Sequence, residues 1–277
     1  MTDINIDIGH LRQWIGRTEE ATDVVASRLV DGLRATLDRG GDAVSAALHW
    51  CIAPIIVPES QLGPDGHAER GAFLPPVPLP RRMFAGGTLE FRGAFRLGDE
   101  VTRVSRIADV TAKTGRTGTL CFVTIDHEYR TPRGIAVVER QSVVYREADS
   151  PVRTDGGSEP PHPTPRWQRK LTADSVMLFR YSALTFNAHR IHFDRDYCRT
   201  VEGYPGLLVH GPLQATLLIE HAGEVRGAVP RQFTFRAVRP LFDGVEFSVN
   251  AVEEGGGLSL WVADGNGRAT MTASAYW

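Results

Sequence analysis

GPLQATLLIEHAG, residues 211–223, is the stretch on which the fold turns. Gly211 and Pro212 open it and Gly223 follows its last apolar residue. This is the asymmetry of helix ends, where proline's missing N–H costs nothing and glycine supplies the closing turn. Leu213, Ala215, Leu217, Leu218, Ile219 and Ala222 leave little polar face until Glu220 and His221, so the spacing predicts a helix over 212–222 buried on most sides. Behind it comes RPLFDGVEFSVNAVEEGGGLSLWVADGNGRATMTASAYW (239–277), alternating and β-branched runs broken at Gly255 to Gly257 and at Gly265-Asn266-Gly267. That pattern reads as an antiparallel meander.

The same plan stands earlier in the chain, in FRLGDEVTRVSRIADVTAKTGRTGTLCFVTIDHEYRTPRGIAVVERQSVVYR (95–146), with breaks at Gly115, Gly118 and Pro132 to Gly134. Both meanders begin on an L-x-D-x-V phrase, Leu97 to Val101 and Leu241 to Val245, a short internal repeat that reads as duplication. A buried helix wrapped by a twisted antiparallel sheet is the hot-dog arrangement. The expected class is therefore α+β, a double hot-dog of two antiparallel sheets, each wrapped around a central helix. Helical signals precede both meanders. Val24, Leu29, Leu33 and Leu37 predict a helix over about 20–39, with a kink at Gly32 and a stop at Gly40. Thr172 is the expected cap of a helix with Val176, Phe179 and Ala183 on one side, and Asp194 of a short helix through Arg199. Between the halves, residues 149–166 hold five prolines with glycine, serine and charge and almost nothing apolar, and read as a linker. The expected units are thus 1–148 and 167–277.

Bulk properties narrow the function. The 277 residues carry a formal charge of -2 with a pI near 6.5, so no basic field exists to gather nucleic acid or an anionic membrane. Cys51, Cys121 and Cys198 are odd in number and widely spaced, which fits neither a disulfide framework nor a cysteine-rich metal site and points to a reducing cytosol. Met1 to Gly9 has neither the basic start nor the apolar core of a targeting signal, and the expected localisation is cytoplasmic. Four of the nine histidines, His189, His192, His210 and His221, fall within thirty-three residues. The first pair sits in a connection between expected helices, and His210-Gly211 leads into the buried one, positions where a scaffold presents catalytic groups.

The phrase FRYSALTFNAHRIHFD (179–194), followed by His210-Gly211, resembles the MaoC-like hydratases, whose motif is D-x-N-P-x-H with a later H-G. His192 falls on the motif histidine, while Asn187, His189 and Arg190 replace the aspartate, asparagine and proline. The N-A-H-R-I-H form is similar to a subgroup containing type 2 3-hydroxyacyl-thioester dehydratases and the mesaconyl-CoA and itaconyl-CoA hydratases. Trp14-Ile15-Gly16-Arg17 and LPRRMFAGG (79–87) carry the likeness into the first half. The resemblance implies reversible hydration of a short enoyl-CoA, mesaconyl-CoA or itaconyl-CoA first. It also implies a catalytic second half and a first half that encloses the acyl group and CoA.

Adding water to an α,β-unsaturated thioester requires a base for the water, an acid for the α-carbon and donors for the oxyanion that forms. His192 suits both proton transfers because imidazole titrates near neutrality. The Gly211 N–H, at the positive end of the helix, suits the oxyanion. Asn187 has no basicity but can orient the water. His189 is either a further catalytic group or a loop anchor, and His210 either contacts substrate or is a buried hydrogen-bonded residue. Arg81, Arg82, Arg236 and Arg239 are candidates for CoA phosphates or a substrate carboxylate, with ion pairs or solvated faces as the alternative. No organic cofactor is required. His189, His192, Asp194 and His210 form no closed metal set at an established spacing. A carrier-protein dehydratase, a thioesterase and a non-catalytic acyl-binding subunit are the competing functions, and one chain already holding two units leaves a homodimer open.

Overall fold

The computed structural model describes residues 6–115, 118–147 and 162–277. After a single helical turn, α1 (Ile8–Leu11), the first half runs β1 (Thr18–Val24), α2 (Ser27–Thr36), β2 (Arg81–Phe91), β3 (Glu100–Gly115), β4 (Gly118–Thr131) and β5 (Gly134–Arg146). The second runs β6 (Trp167–Thr172), α3 (Ser175–Thr185), α4 (Arg195–Thr200), α5 (Gly211–Arg226), β7 (Gln232–Ala237), β8 (Glu246–Glu254), β9 (Gly257–Ala263) and β10 (Ala269–Tyr276).

The strands order as β1-β3-β4-β5-β2-β7-β10-β9-β8-β6. Read outward from the centre, both halves give the same sequence of neighbours, β2-β5-β4-β3-β1 and β7-β10-β9-β8-β6, as duplication requires. The two five-stranded sheets meet edge to edge, where β2 and β7 pair from Gly86 with Arg236 to Glu90 with Gln232. Each edge removes the other's unpaired backbone groups, so ten strands form one continuous antiparallel sheet. Alternation does the sorting within it. Along β4, Cys121, Val123, Ile125, His127 and Tyr129 are buried while the residues between them are less so.

α5 is the long buried helix, with Leu213, Ala215, Leu217, Leu218, Ile219 and Ala222 all inside. Two of its buried polar residues have partners: Gln214 accepts from the Thr270 hydroxyl at 2.7 Å, and Thr216 lies 3.3 Å from the Tyr181 hydroxyl. The helix passes through Gly223, the expected stop, and closes on Gly227 in the left-handed region, because Val225 still packs on the core. In the first half the corresponding long helix is reduced to a 3-10 turn, Ala46–Cys51, whose Leu48 and Cys51 are buried and which packs against α5.

Three local expectations are corrected. Residues 20–24 belong to edge strand β1, paired with β3; the β-branched Thr22 and Val24 favour the strand, and α2 starts only at Ser27. Asp174, not Thr172, caps α3, accepting from Met177 N–H at 2.8 Å. The α3 face carrying Val176, Phe179 and Ala183 is exposed, while Leu178, Tyr181, Ser182 and Leu184 turn inward. Asp194 does cap α4, through Tyr197 N–H at 2.9 Å. Most of the expected linker, 149–161, and residues 1–5 lie outside the described residues. The three cysteines are free and buried. Among the described residues no helix is long and apolar enough to cross a membrane.

Candidate active site

α3 ends on Phe186, which takes the left-handed conformation, and Asn187 N–H closes on Ser182 O at 2.9 Å. This reversal starts the histidine loop. Asn187 Oδ1 accepts from His189 N–H at 3.0 Å, and a 3-10 turn, Arg190–His192, follows. The turn is fastened from behind: Arg190 forks onto Asp194 at 2.7 and 3.0 Å, and the Cys198 thiol donates to Ile191 O.

His192 Nδ1 is 2.8 Å from Leu208 O, so Nδ1 carries the proton and Nε2 presents its lone pair. Its ring lies face to face with His210, centroids 3.6 Å apart and 19° from parallel. His210 is completely buried, bonds Ser182 Oγ through Nε2 at 2.8 Å and meets the edge of Tyr181. This corrects the expected substrate contact: His210 is the floor on which His192 rests. Burial pulls His192 down to about 4, against the Leu208 carbonyl, which raises it. Burial, with the repulsion that a protonated His192 would add, holds His210 far below the usual histidine range. Both rings are neutral at pH 7.

His210 is followed directly by Gly211, the first residue of α5, where first-turn N–H groups have no intrahelical acceptor. A Cβ on Gly211 would come 2.7 Å from the ring of Phe84. The close approach that glycine permits here is therefore made by a β2 side chain, and Phe84 in turn stacks on Phe235.

The first half contributes a loop outside the expected site residues, Gly63-Pro64-Asp65-Gly66-His67. Asp65 O accepts from Arg190 N–H at 2.9 Å, and Pro64 O accepts from the Arg190 guanidinium at 3.2 Å. Gly66 has φ 86°, and a Cβ there would lie 1.9 Å from Ala188 O. The two loops thus interlock backbone to backbone. The available signal was the Pro-Asp-Gly turn followed by histidine. His67 gives both its backbone N–H (3.0 Å) and Nδ1 (3.1 Å) to the two oxygens of Asp65. Its ring lies 4.0 Å from that of His189, which is 5.5 Å from His192. Burial, then the positive charge of Arg82, brings His67 down to about 4. His189 is driven further down by burial and by His67, His192 and Arg82. Asp65 stays a carboxylate at about 2: burial raises it, but the bonds and charge of His67 and the charge of Arg82 outweigh that.

Donor atoms of Asp65, His67 and His189 lie within 4.8 Å of one another. Both Asp65 oxygens are already taken by His67, however, and Arg82 opposes a cation. Asp194, in the set considered from sequence, is turned away to cap α4 and pair Arg190.

The arginines separate. Arg82 lies near enough for its charge to lower His67 and His189 and makes no ion pair among the described residues. Arg81 is tied to Glu202, 3.3 Å to its carboxylate and 3.0 Å to its backbone oxygen. Arg239 donates to Ala269 O at 2.8 Å. Arg236 is exposed on the face of β7 opposite the buried Phe235. Arg81 and Arg239 are thus engaged within the chain, the alternative weighed from sequence, while Arg236 faces solvent. Two clefts, about 240 and 290 Å³, open elsewhere: one between α2 and the far half of α5, beside Leu37 and Glu220, the other beside Phe91 and Val229. No histidine lines either. Glu220 is nine residues from Gly211, about 14 Å along the helix.

The sequence model of the family described as hydroxyacyl-thioester dehydratase type 2 matches residues 47–243. Mesaconyl-C(4)-CoA hydratase of Chloroflexus aurantiacus is 40% identical over 267 residues, covering 94% of this chain and 95% of that protein. The mitochondrial hydroxyacyl-thioester dehydratase type 2 of Schizosaccharomyces pombe is 25% identical over 280 residues, 87% of this chain and 91% of its own. The fold matches a crystal structure of a MaoC-like dehydratase from Phytophthora capsici with TM-score 0.69 at 13% identity, over 98% of this chain and 99% of that one.

Proposed function

We propose, because the chain belongs to the hydroxyacyl-thioester dehydratase type 2 family, that it reversibly hydrates a short branched dicarboxylyl enoyl-CoA, with mesaconyl-CoA the first candidate and itaconyl-CoA the second. It is a hydro-lyase acting on acyl thioesters. The observation that carries the reading is His192, its Nδ1 committed to Leu208 O and its ring stacked on the residue that precedes Gly211.

In the hydration direction His192 Nε2 takes one proton from water as the oxygen bonds to the β-carbon. The π electrons move onto the thioester oxygen, and the Gly211 N–H at the positive end of α5 receives the developing charge. Collapse of the enolate returns the proton from His192 to the α-carbon. Asn187 has its carbonyl end committed to His189 N–H, so its amide N–H group is the part that can hold the water oxygen. Neutral His189 lines the same site. Arg82, close to these histidines, is the group suited to the free carboxylate of a mesaconyl substrate. In this reading 167–277 is the catalytic unit and 1–148 encloses acyl group and CoA. No organic cofactor or metal enters the chemistry.

Similarity to a protein named mesaconyl-C(4)-CoA hydratase supports the substrate. Similarity to a protein named a dehydratase keeps the reverse direction, on CoA or carrier-protein thioesters, as the second reading. The test is a spectrophotometric panel of enoyl-CoA esters, with and without a terminal carboxylate. His192→Ala is expected to lose roughly 10²- to 10⁴-fold in kcat; near-normal hydration by this variant refutes the assignment. Arg82→Gln is expected to lose preference for the carboxylated ester. Parallel assays on carrier-protein thioesters and for free thiol release separate dehydratase and thioesterase activity. A second copy covering the exposed Val176, Phe179 and Phe186 of α3 and its cap is the homodimer suited to this surface, and sedimentation velocity checks it.

A further inference from the structure

We infer that His67, oriented by Asp65, forms with His189 the subsite that holds the attacking water and, after reaction, the β-hydroxyl of the product. The inference rests on the hydration chemistry above and adds to the second half's machinery a group from the first half.

Water brings two O–H bonds to the reaction. One breaks, its proton passing to His192 and on to the α-carbon, while the other survives in the product hydroxyl. That surviving O–H needs an acceptor if the water is to be held with its lone pair towards the β-carbon. The histidine loop itself supplies few. Asn187 Oδ1 is spent on His189 N–H, Asp194 on Tyr197 and Arg190, and His210 is sealed behind His192. His67 adds an acceptor whose tautomer is fixed, which the unbonded ring of His189 lacks. With Nδ1–H given to the Asp65 carboxylate, its remaining nitrogen, Nε2, is an acceptor, and the adjacent negative charge strengthens it.

The placement is built rather than incidental. Both Asp65 oxygens bind His67, one through the backbone and one through the ring. The loop is pinned to the histidine loop by Arg190 and by the contact that only glycine allows at position 66. The rings of His67 and His189 are 4.0 Å apart, and no hydrogen bond to a ring nitrogen of His189 is present among the described residues. The rings leave no space between them, but an oxygen at the edge of the pair, whose ligand nitrogens lie within 4.8 Å of one another, can reach both at ordinary hydrogen-bond distances. No proton beyond the one carried by His192 has to move, so the two histidines divide the work: His192 transfers, His67 holds.

The experiment compares binding of a 3-hydroxyacyl-CoA with that of the saturated acyl-CoA lacking the hydroxyl, alongside hydration kinetics, in wild type, His67→Ala, Asp65→Asn and His192→Ala. His67→Ala is expected to lose the preference for the hydroxylated ligand, keep its affinity for the saturated one, and lower kcat about 10²-fold. Asp65→Asn still offers an oxygen to His67 N–H but turns an amide N–H towards Nδ1. The tautomer inverts, Nε2 becomes a donor, and the same preference should vanish from a folded protein. An unchanged hydroxyl preference and kcat in both variants, while His192→Ala is inactive, overturn the subsite and leave the hydratase reading standing. Absence of hydration by wild type overturns both. One equivalent of divalent metal in the purified wild type, lost from both variants, overturns the subsite in favour of a metal site.

Discussion

The tautomer of His192 is set by a backbone oxygen sixteen residues away, and its resting plane by a second imidazole that cannot reach solvent. With its pKa lowered to about 4 by burial, the base form is complete at neutral pH and is lost only as pH falls through that value. Hydration measured as kcat/KM should therefore be level from pH 8 to 6, with no acid limb near 6.5; a midpoint at the ordinary histidine value would show that the ring is not buried as described. Ser182 is the hidden dependency. Ser182→Ala leaves His210 Nε2 buried without its partner, and Nδ1 already has none. The expected cost is about 1–3 kcal/mol of stability, read as a lowered urea midpoint, together with a reduced kcat as the floor beneath His192 loosens.

At the scale of elements, the proposed catalysis rests on two meetings between the halves. The first is β2 against α5, where Phe84 fills the space beside Gly211. Gly211→Ala must push the ring away and is expected to cost about 1–3 kcal/mol by overpacking, with kcat falling as the helix terminus shifts. The second is the 63–67 loop against the 187–190 loop. Gly66→Ala meets both a left-handed backbone and the Ala188 carbonyl, so it should destabilise by about 1–3 kcal/mol and separate the loops. Its signature is a kcat loss larger than the stability loss would suggest, measured well below Tm. Wild-type kcat in a folded Gly66→Ala protein would mean the interlock has no part in the chemistry.

For the whole molecule, the concentration of buried neutral histidines makes stability depend on pH. Burial lowers His49 to about 3 and His67, His127 and His192 to about 4, with His189 and His210 also driven down. The unfolded chain protonates these groups near 6.5 and the folded one does not, so stability is lost as pH falls from about 6.5 towards 4. Glu139, pushed up to about 7 by burial although the Trp50 hydrogen bond and the Arg103 charge lower it, holds its proton when folded and works against one of the six. A net uptake on the order of five protons on unfolding at pH 5.5 is expected. Chemical denaturation midpoints across pH 5 to 7 check it, and a flat profile would contradict the burial of this set.

Local pattern was sufficient for what depends on local spacing. The apolar run of 213–222, the alternation of the meanders, the Asp194 cap and the repeated L-x-D-x-V phrase carry the helix, the strands and the duplication, because periodicity reports which face of an element is buried. The His192 phrase was legible for the same reason, being contiguous. Tertiary structure alone decided the rest. Edge pairing of β2 with β7 made one sheet from two, packing chose the Leu178 face of α3 over the Val176 face, and an ion pair tied Arg81 to Glu202. Asp65 and His67 came to lie against the histidine loop although more than a hundred residues separate them from His192. Chain spacing carries no information about such contacts, since they form only when two halves bury a common core and bring distant loops into register.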